Sequence, residues 1–224
     1  MANTATDPTH VPERQGGRDM VTACVGLGSN LGDRHAAMRA AVGHIDRHPH
    51  MRVDPDRGIA SLYETSPVGG PPGQPTYFNS ALRVRTSLAP AELLAAMLTI
   101  EAALGRTRGE RWASRRIDID LLWVDDMVCD DAGLTLPHPR LHERRFVLEP
   151  LSEIAGDWVH PRLLVTIASL TERLRAADTM NTVVRVAGPG WSRQTAAATV
   201  ARGTRRLERS RWPAVRGTRL RFER

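Results

Sequence analysis

Lysine is missing from this 224-residue chain, and all 31 basic side chains are arginine. No glycine-rich stretch can therefore end in the Gly-Lys-Ser/Thr of a phosphate-binding P-loop. Cysteine is scarce: Cys24 and Cys129 are too few and too dispersed for a disulfide framework or a zinc cluster, which points to a reducing cytoplasm. No apolar run approaches the roughly 20 residues that a membrane span needs, so no membrane association is expected. Residues 1–20 are rich in Thr, Pro, Arg and Gly and lack the apolar centre of a secretory signal. They are expected to form a disordered leader, with Met20 as a candidate translation start.

The charge is unevenly spread. Residues 171–224 hold 13 arginines and four acids, leaving 18 basic and 21 acidic residues for the rest of the chain. The excess of positive charge thus belongs to the tail, and any nucleic-acid contact is expected to be weak and confined to it. Apolar periodicity fails from about Ala177, so 177–224 is expected to be a basic, disordered tail and 21–176 the folded domain. Trp191 and Trp212 leave room for a docking segment within the tail.

The chain is organised around Arg111-Trp112-Ala113-Ser114-Arg115-Arg116-Ile117-Asp118-Ile119-Asp120-Leu121-Leu122-Trp123, an arginine-rich loop running into an apolar strand. Strand side chains alternate, so Asp118 and Asp120 share one face while Ile117, Ile119 and Leu121 share the other. Two such acids need neutralising by a basic partner or a cation. The arginines and a hard divalent ion such as Mg²⁺ suit that role equally well. Arg106, Arg108, Arg111, Arg115 and Arg116 place five guanidinium groups within residues 105–116, whose planar forks suit phosphate oxygens.

Upstream, a strand over Val21–Leu27 leads into Gly26-Leu27-Gly28-Ser29-Asn30-Leu31-Gly32. This is either a tight strand-to-helix turn or a backbone approach to phosphate. Apolar spacing predicts helices over 33–48, 90–104 and 166–176 and strands over 59–63, 77–86 and 117–124. His44, His48 and His50 are expected at the surface. Glu101 in the last turn of the second helix opposes the helix dipole, which hints at a ligand or at the arginines that follow. The two Pro/Gly/Arg-rich loops, 64–76 and 105–116, are natural lids. The order β-α-β-β-α-β suits an α+β sandwich of the ferredoxin-like kind, a mostly antiparallel sheet with helices on one face.

Several motifs resemble those of the 6-hydroxymethyl-7,8-dihydropterin pyrophosphokinase family, over about residues 21–175. They are Gly-Leu-Gly-Ser-Asn-Leu-Gly-Asp-Arg at 26–34, Tyr63-Glu64-Thr65, Tyr77-Phe78-Asn79, Gly105-Arg106 and Arg108, Arg111-Trp112-x-x-Arg115-x-x-Asp118-x-Asp120, and Pro137-His138-Pro139-Arg140 followed by Arg144-Arg145-Phe146-Val147-Leu148. The resemblance implies pyrophosphoryl transfer from ATP to the pterin hydroxymethyl group, with release of AMP, in folate biosynthesis. It implies that Asp118 and Asp120 bind two Mg²⁺ ions and that Arg106 and Arg115 act on the transferring phosphates. Arg108, Arg111, Trp112, His138 and Arg144 would surround ATP, with Glu101 near the nucleotide. Thr65, Val68, Tyr77, Asn79 and Phe146 would line the pterin pocket. The two small molecules are then the expected partners of a cytoplasmic monomer. Ser66 departs from a common family proline, and Pro139 from an aromatic residue found in some members. The alternative is a Mg²⁺-dependent phosphohydrolase or nuclease built on the aspartate pair, which would have no need of a flat-ring pocket.

Overall fold

A computed structural model describes residues 19–106, 114–178 and 181–193. Among these residues, eight strands and four α-helices occur in the order β1 (Val21–Ser29), α1 (Arg34–Asp46), β2 (Met51–Val53), β3 (Leu62–Thr65), β4 (Tyr77–Thr86), α2 (Pro90–Ala103), β5 (Asp118–Val124), β6 (Cys129–Asp131), β7 (Leu134–Leu136), α3 (Arg145–Ala155), α4 (Ile167–Ala177) and β8 (Val183–Ala187). The main sheet runs β5-β1-β4-β3-β8, with β2 also paired to β4, and every pairing is antiparallel. β6 and β7 form a separate hairpin. No helix among the described residues is long and apolar enough to cross a membrane.

Alternation along the strands decides what each face buries. Val25 and Leu27 of β1, Leu82 and Val84 of β4, and Ile119 and Leu121 of β5 meet Met38, Ile45, Leu93 and Met97 of α1 and α2. Residues of opposite parity, Cys24, Ala81 and Leu122, meet Leu148, Leu151 and Ile154 of α3 and Leu170 of α4. The helices therefore cover both faces of the sheet, where the sequence suggested one. The second layer is built by the short α3 and α4, whose apolar residues complete a core only against the far side of the strands.

Local signals explain the boundaries. The Asp33 carboxylate caps α1 by accepting the Ala36 N–H at 2.9 Å. Pro90 opens α2 while Glu92 reaches back to the Ala89 N–H at 2.8 Å, and Gly105, at φ +85°, follows its end. A bulge where β1 meets β5 shifts the register between Cys24 and Val25, so that Leu122 and Trp123 both join the α3 side.

Beyond residue 176, where the domain was expected to end, β8 adds to the open edge of β3, and Trp191 is buried in the core after it. An isolated five-residue run containing an arginine reads as tail by composition, and becomes a strand only because a sheet edge awaits it. Residues 1–18 and 194–224 lie outside the described residues, as do the expectations placed on them.

Candidate active site

Three neighbouring strands bring the site together through their register. Gly28 of β1 lies between Asp118 of β5 and Asn79 of β4, and Gly26 faces Asp120 across the same ladder. All sit on the face covered by α3. A Cβ on Gly28 would lie 3.1 Å from Asn79 Oδ1 and 3.8 Å from Asp118 Cβ, and one on Gly26 would lie 3.4 Å from a Leu122 methyl. These glycines keep a gap open between an acid pair and an amide. Gly26 and Gly28 are not in a strand-to-helix turn: they belong to the strand itself, which runs on to Ser29.

The gap belongs to a cavity of about 310 Å³. Of the residues expected at the site, Thr65, Val68, Tyr77, Asn79, Arg115, Asp118, Asp120, His138, Arg144 and Phe146 line it. Gly26, Gly28, Ser66, Leu122, Arg140 and Val147 line it too, and sequence reasoning had not singled them out as site residues. Paired glycines two apart in a strand, on the parity of the acid pair, were the available signal. Arg108, Arg111 and Trp112 lie outside the described residues.

The two carboxylates differ in their surroundings. Asp118 is met by Arg106 Nη1 at 2.8 Å and by Arg115 Nη1 at 3.0 Å. Among the described residues, no hydrogen bond or ion pair reaches the Asp120 carboxylate. Burial, and then the charge of Asp118, push its carboxyl up to about 6 against the pull of Arg144, Arg106 and Arg115. Glu101 does not line the cavity. It is 1% exposed, accepts the Ile119 N–H at 2.6 Å and pairs with Arg106. Burial pushes its carboxyl up to about 7, while the Ile119 amide and Arg106 pull the other way.

Around these acids the walls are fixed by backbone bonds. The Arg115 N–H donates to Asn30 Oδ1 at 2.7 Å, the Asn30 N–H to the Arg115 carbonyl at 3.1 Å, and Ser29 Oγ to the Arg116 carbonyl at 2.6 Å. The arginine segment is thereby laced to the end of β1 just before it enters β5. Asn79 Nδ2 donates to Thr65 Oγ1 at 2.7 Å, which holds the amide in place beside the gap. The His138 N–H donates to the Leu122 carbonyl at 2.8 Å, and burial together with Arg144 lowers its imidazole pKa.

An antiparallel sheet opening onto paired acids and arginines, in a cavity that Tyr77 and Phe146 also line, has the charge pattern of a protein that handles phosphate. Residues 24–156 match the family model described as 7,8-dihydro-6-hydroxymethylpterin-pyrophosphokinase. The chain belongs to that family. It is accordingly a diphosphokinase, an enzyme of pyrophosphoryl transfer in folate biosynthesis, and nothing found supports the hydrolase or nuclease alternative.

Among its relatives, a Synechocystis 2-amino-4-hydroxy-6-hydroxymethyldihydropteridine pyrophosphokinase is 40% identical over 167 residues, covering 75% of this chain and 80% of that one. The Methylorubrum extorquens protein of the same name is 44% identical over 140 residues, covering 62% and 86%. The fold is also that of part of the wild-type Plasmodium falciparum HPPK-DHPS structure, at TM-score 0.56 and 14% identity over 70% of this chain. This chain spans 44% of that longer one.

Proposed function

We propose that this chain transfers the β,γ-diphosphate of ATP to the hydroxymethyl oxygen of 6-hydroxymethyl-7,8-dihydropterin, releasing AMP. The pterin hydroxyl oxygen forms a bond to the β-phosphorus as the bond from that phosphorus to the α,β-bridging oxygen breaks. The hydroxyl proton is lost and the bridging oxygen leaves on AMP. The observation that carries this reading is the inequality of the two acids beside the slot: Asp118 is held by two arginines, whereas half-buried Asp120 makes no ion pair among the described residues.

The donor set fits magnesium. Among the described residues no cluster of three or more His, Cys, Asp or Glu stands ready for a metal, so a protein-only cage is not on offer. Mg²⁺ characteristically takes one or two carboxylates and completes its shell with substrate phosphates and water. Asp118 and Asp120 would hold it, as one ion or as the expected pair. Bound there, it would neutralise phosphate charge and orient the oxygens of an in-line displacement. Arg106 and Arg115 would trade Asp118 for the β- and γ-phosphates, while Arg144, His138, Arg108, Arg111 and Trp112 would serve the rest of ATP. Glu101 would act from behind, by fixing Arg106 and the peptide between the aspartates.

On the other side, Tyr77 and Phe146 would flank the flat ring, with Val68 and Thr65 completing the wall. Asn79 spends one N–H on Thr65, leaving its carbonyl and second N–H for the amide-like edge of the pterin. The core order β1-α1-β3-β4-α2-β5 supports a ferredoxin-like core carrying α3, α4 and β8 as additions, with the catalytic residues falling within 21–176. Two dispersed, free cysteines support a cytoplasmic setting. Incubation with Mg-ATP and hydroxymethyldihydropterin should yield AMP and the pterin diphosphate in equal amounts. Inorganic phosphate in place of AMP would overturn the proposal.

A further inference from the structure

Residues 181–193 follow the family match, which ends at 156, yet they meet the wall of the site. β3 is four residues long and pairs with β4 at only three positions, Tyr63, Glu64 and Thr65. Without β8 it would be the edge of the sheet, with half its amides open to water. β8 supplies the missing partner through Leu62↔Ala187, Tyr63↔Arg185, Glu64↔Val184 and Thr65↔Val183. The pairing continues past the strand: the Ser66 N–H donates to the Thr182 carbonyl at 3.0 Å, and the Thr182 N–H donates to Ser66 Oγ at 3.1 Å.

The segment is fastened at both ends. At its start, the Asn181 N–H and Nδ2 donate to Asp178 Oδ1 at 3.1 and 2.9 Å. At its end, Trp191 is 4% exposed, and its indole Nε1–H donates to the Ala60 carbonyl at 2.9 Å. Between these anchors the strand buries little of itself: Val184 is 51% exposed and Val186 45%. Its contribution to the fold is therefore made through its backbone, against β3, rather than through a hydrophobic face. Thr65 and Ser66 are where that contribution reaches the cavity, and Thr65 Oγ1 is the acceptor that orients Asn79.

We propose that residues 181–193 are a positioning element for the pterin side of the active site, holding Thr65 and Ser66 so that Asn79 presents its amide to the ring. This rests on the assignment of Thr65 and Asn79 to the pterin pocket. Among the described residues, no hydrogen bond or ion pair joins the element to Asp118, Asp120, Arg106, Arg115 or Arg144, so its action is confined to one substrate.

The test compares the full chain with Trp191→Ala, which releases the far anchor, Trp191→Phe, which keeps a ring but removes the indole donor, and Thr182→Pro, which removes the N–H given to Ser66 without touching a core side chain. Trp191→Ala and Thr182→Pro should each raise the KM for pterin about tenfold, the loss expected from one or two hydrogen bonds. KM for ATP and kcat should stay within about twofold, the Ser66 amide should exchange faster with deuterium, and Trp191→Phe should fall between wild type and Trp191→Ala. Equal losses in pterin KM, ATP KM and kcat would overturn the proposal, as would an unchanged pterin KM in Thr182→Pro. If Trp191→Ala does not fold, Thr182→Pro alone decides. Asn79→Ala separates the two layers of the argument. An unchanged pterin KM there sinks the pocket assignment, whereas a raised one beside normal Thr182→Pro sinks only the role of the segment.

Discussion

Glu101 Oε1 lies 2.6 Å from the amide nitrogen of Ile119, the residue between Asp118 and Asp120. One buried carboxylate thus ties the end of α2 to the peptide that sets the spacing of the acid pair, and it holds Arg106 as well. Glu101→Ala leaves that amide without an acceptor and should cost about 1–3 kcal/mol of stability. Glu101→Gln keeps the acceptor but not the charge, so it should unfold near wild type while kcat falls. Urea denaturation and steady-state kinetics on both variants check this; equal kinetic defects with no difference in stability would refute it.

Gly28→Ala places a methyl 3.1 Å from Asn79 Oδ1, in the slot proposed for the ring. Crowding of this kind costs about 1–3 kcal/mol, so the KM for pterin should rise about tenfold or more. ATP binding, read by calorimetry, should be little changed.

Asp120 titrates upward on folding, from 3.8 to about 6. A carboxyl raised in this direction favours the folded state below its unfolded pKa, and that benefit is lost as pH rises through 6. In EDTA, the Tm of the ligand-free protein should therefore fall between pH 4 and pH 7 by more than in Asp120→Asn. The same variant, and Asp118→Ala, should lose turnover by a factor on the order of 10³, as when a transition-state charge partner is removed. Near-normal rates in both would refute the assignment of the acids.

Glu149 shifts the other way. Burial pushes its carboxyl up, but hydrogen bonds from Arg175 and Arg145 more than reverse this and hold it below the ordinary range. Its stabilisation is present above the unfolded pKa and lost as pH falls through the lowered one. Glu149→Gln should cost about 1.5–3 kcal/mol at pH 7, a difference that closes in acid. Denaturant midpoints measured across the acid range give the comparison.

Much of this was legible in the sequence because periodicity is local. The alternation of 77–86 matches β4, and the expected faces of Asp118 and Ile119 are those observed. Glu101 was noticed for its conflict with the helix dipole, although its partner, the Ile119 amide, could not be named. What escaped depends on distant strands. The bulge beside Leu122, the second helical layer and β8 each exist because of a neighbour remote in sequence. The role of Gly28 needed the register that sets it between Asp118 and Asn79.

β4 pairs with β1, β2 and β3, and the two remaining pairings of the main sheet involve β5 or β8, which come later still. During synthesis, then, no ladder of this sheet can close until Tyr77–Thr86 has left the ribosome. Val25 and Leu27, bound for the middle of the molecule, must wait through all of that time without a strand beside them. Such long-range pairing folds slowly and leaves sticky intermediates. The nascent amino-terminal third therefore carries its apolar strand residues unpaired until β4 is made.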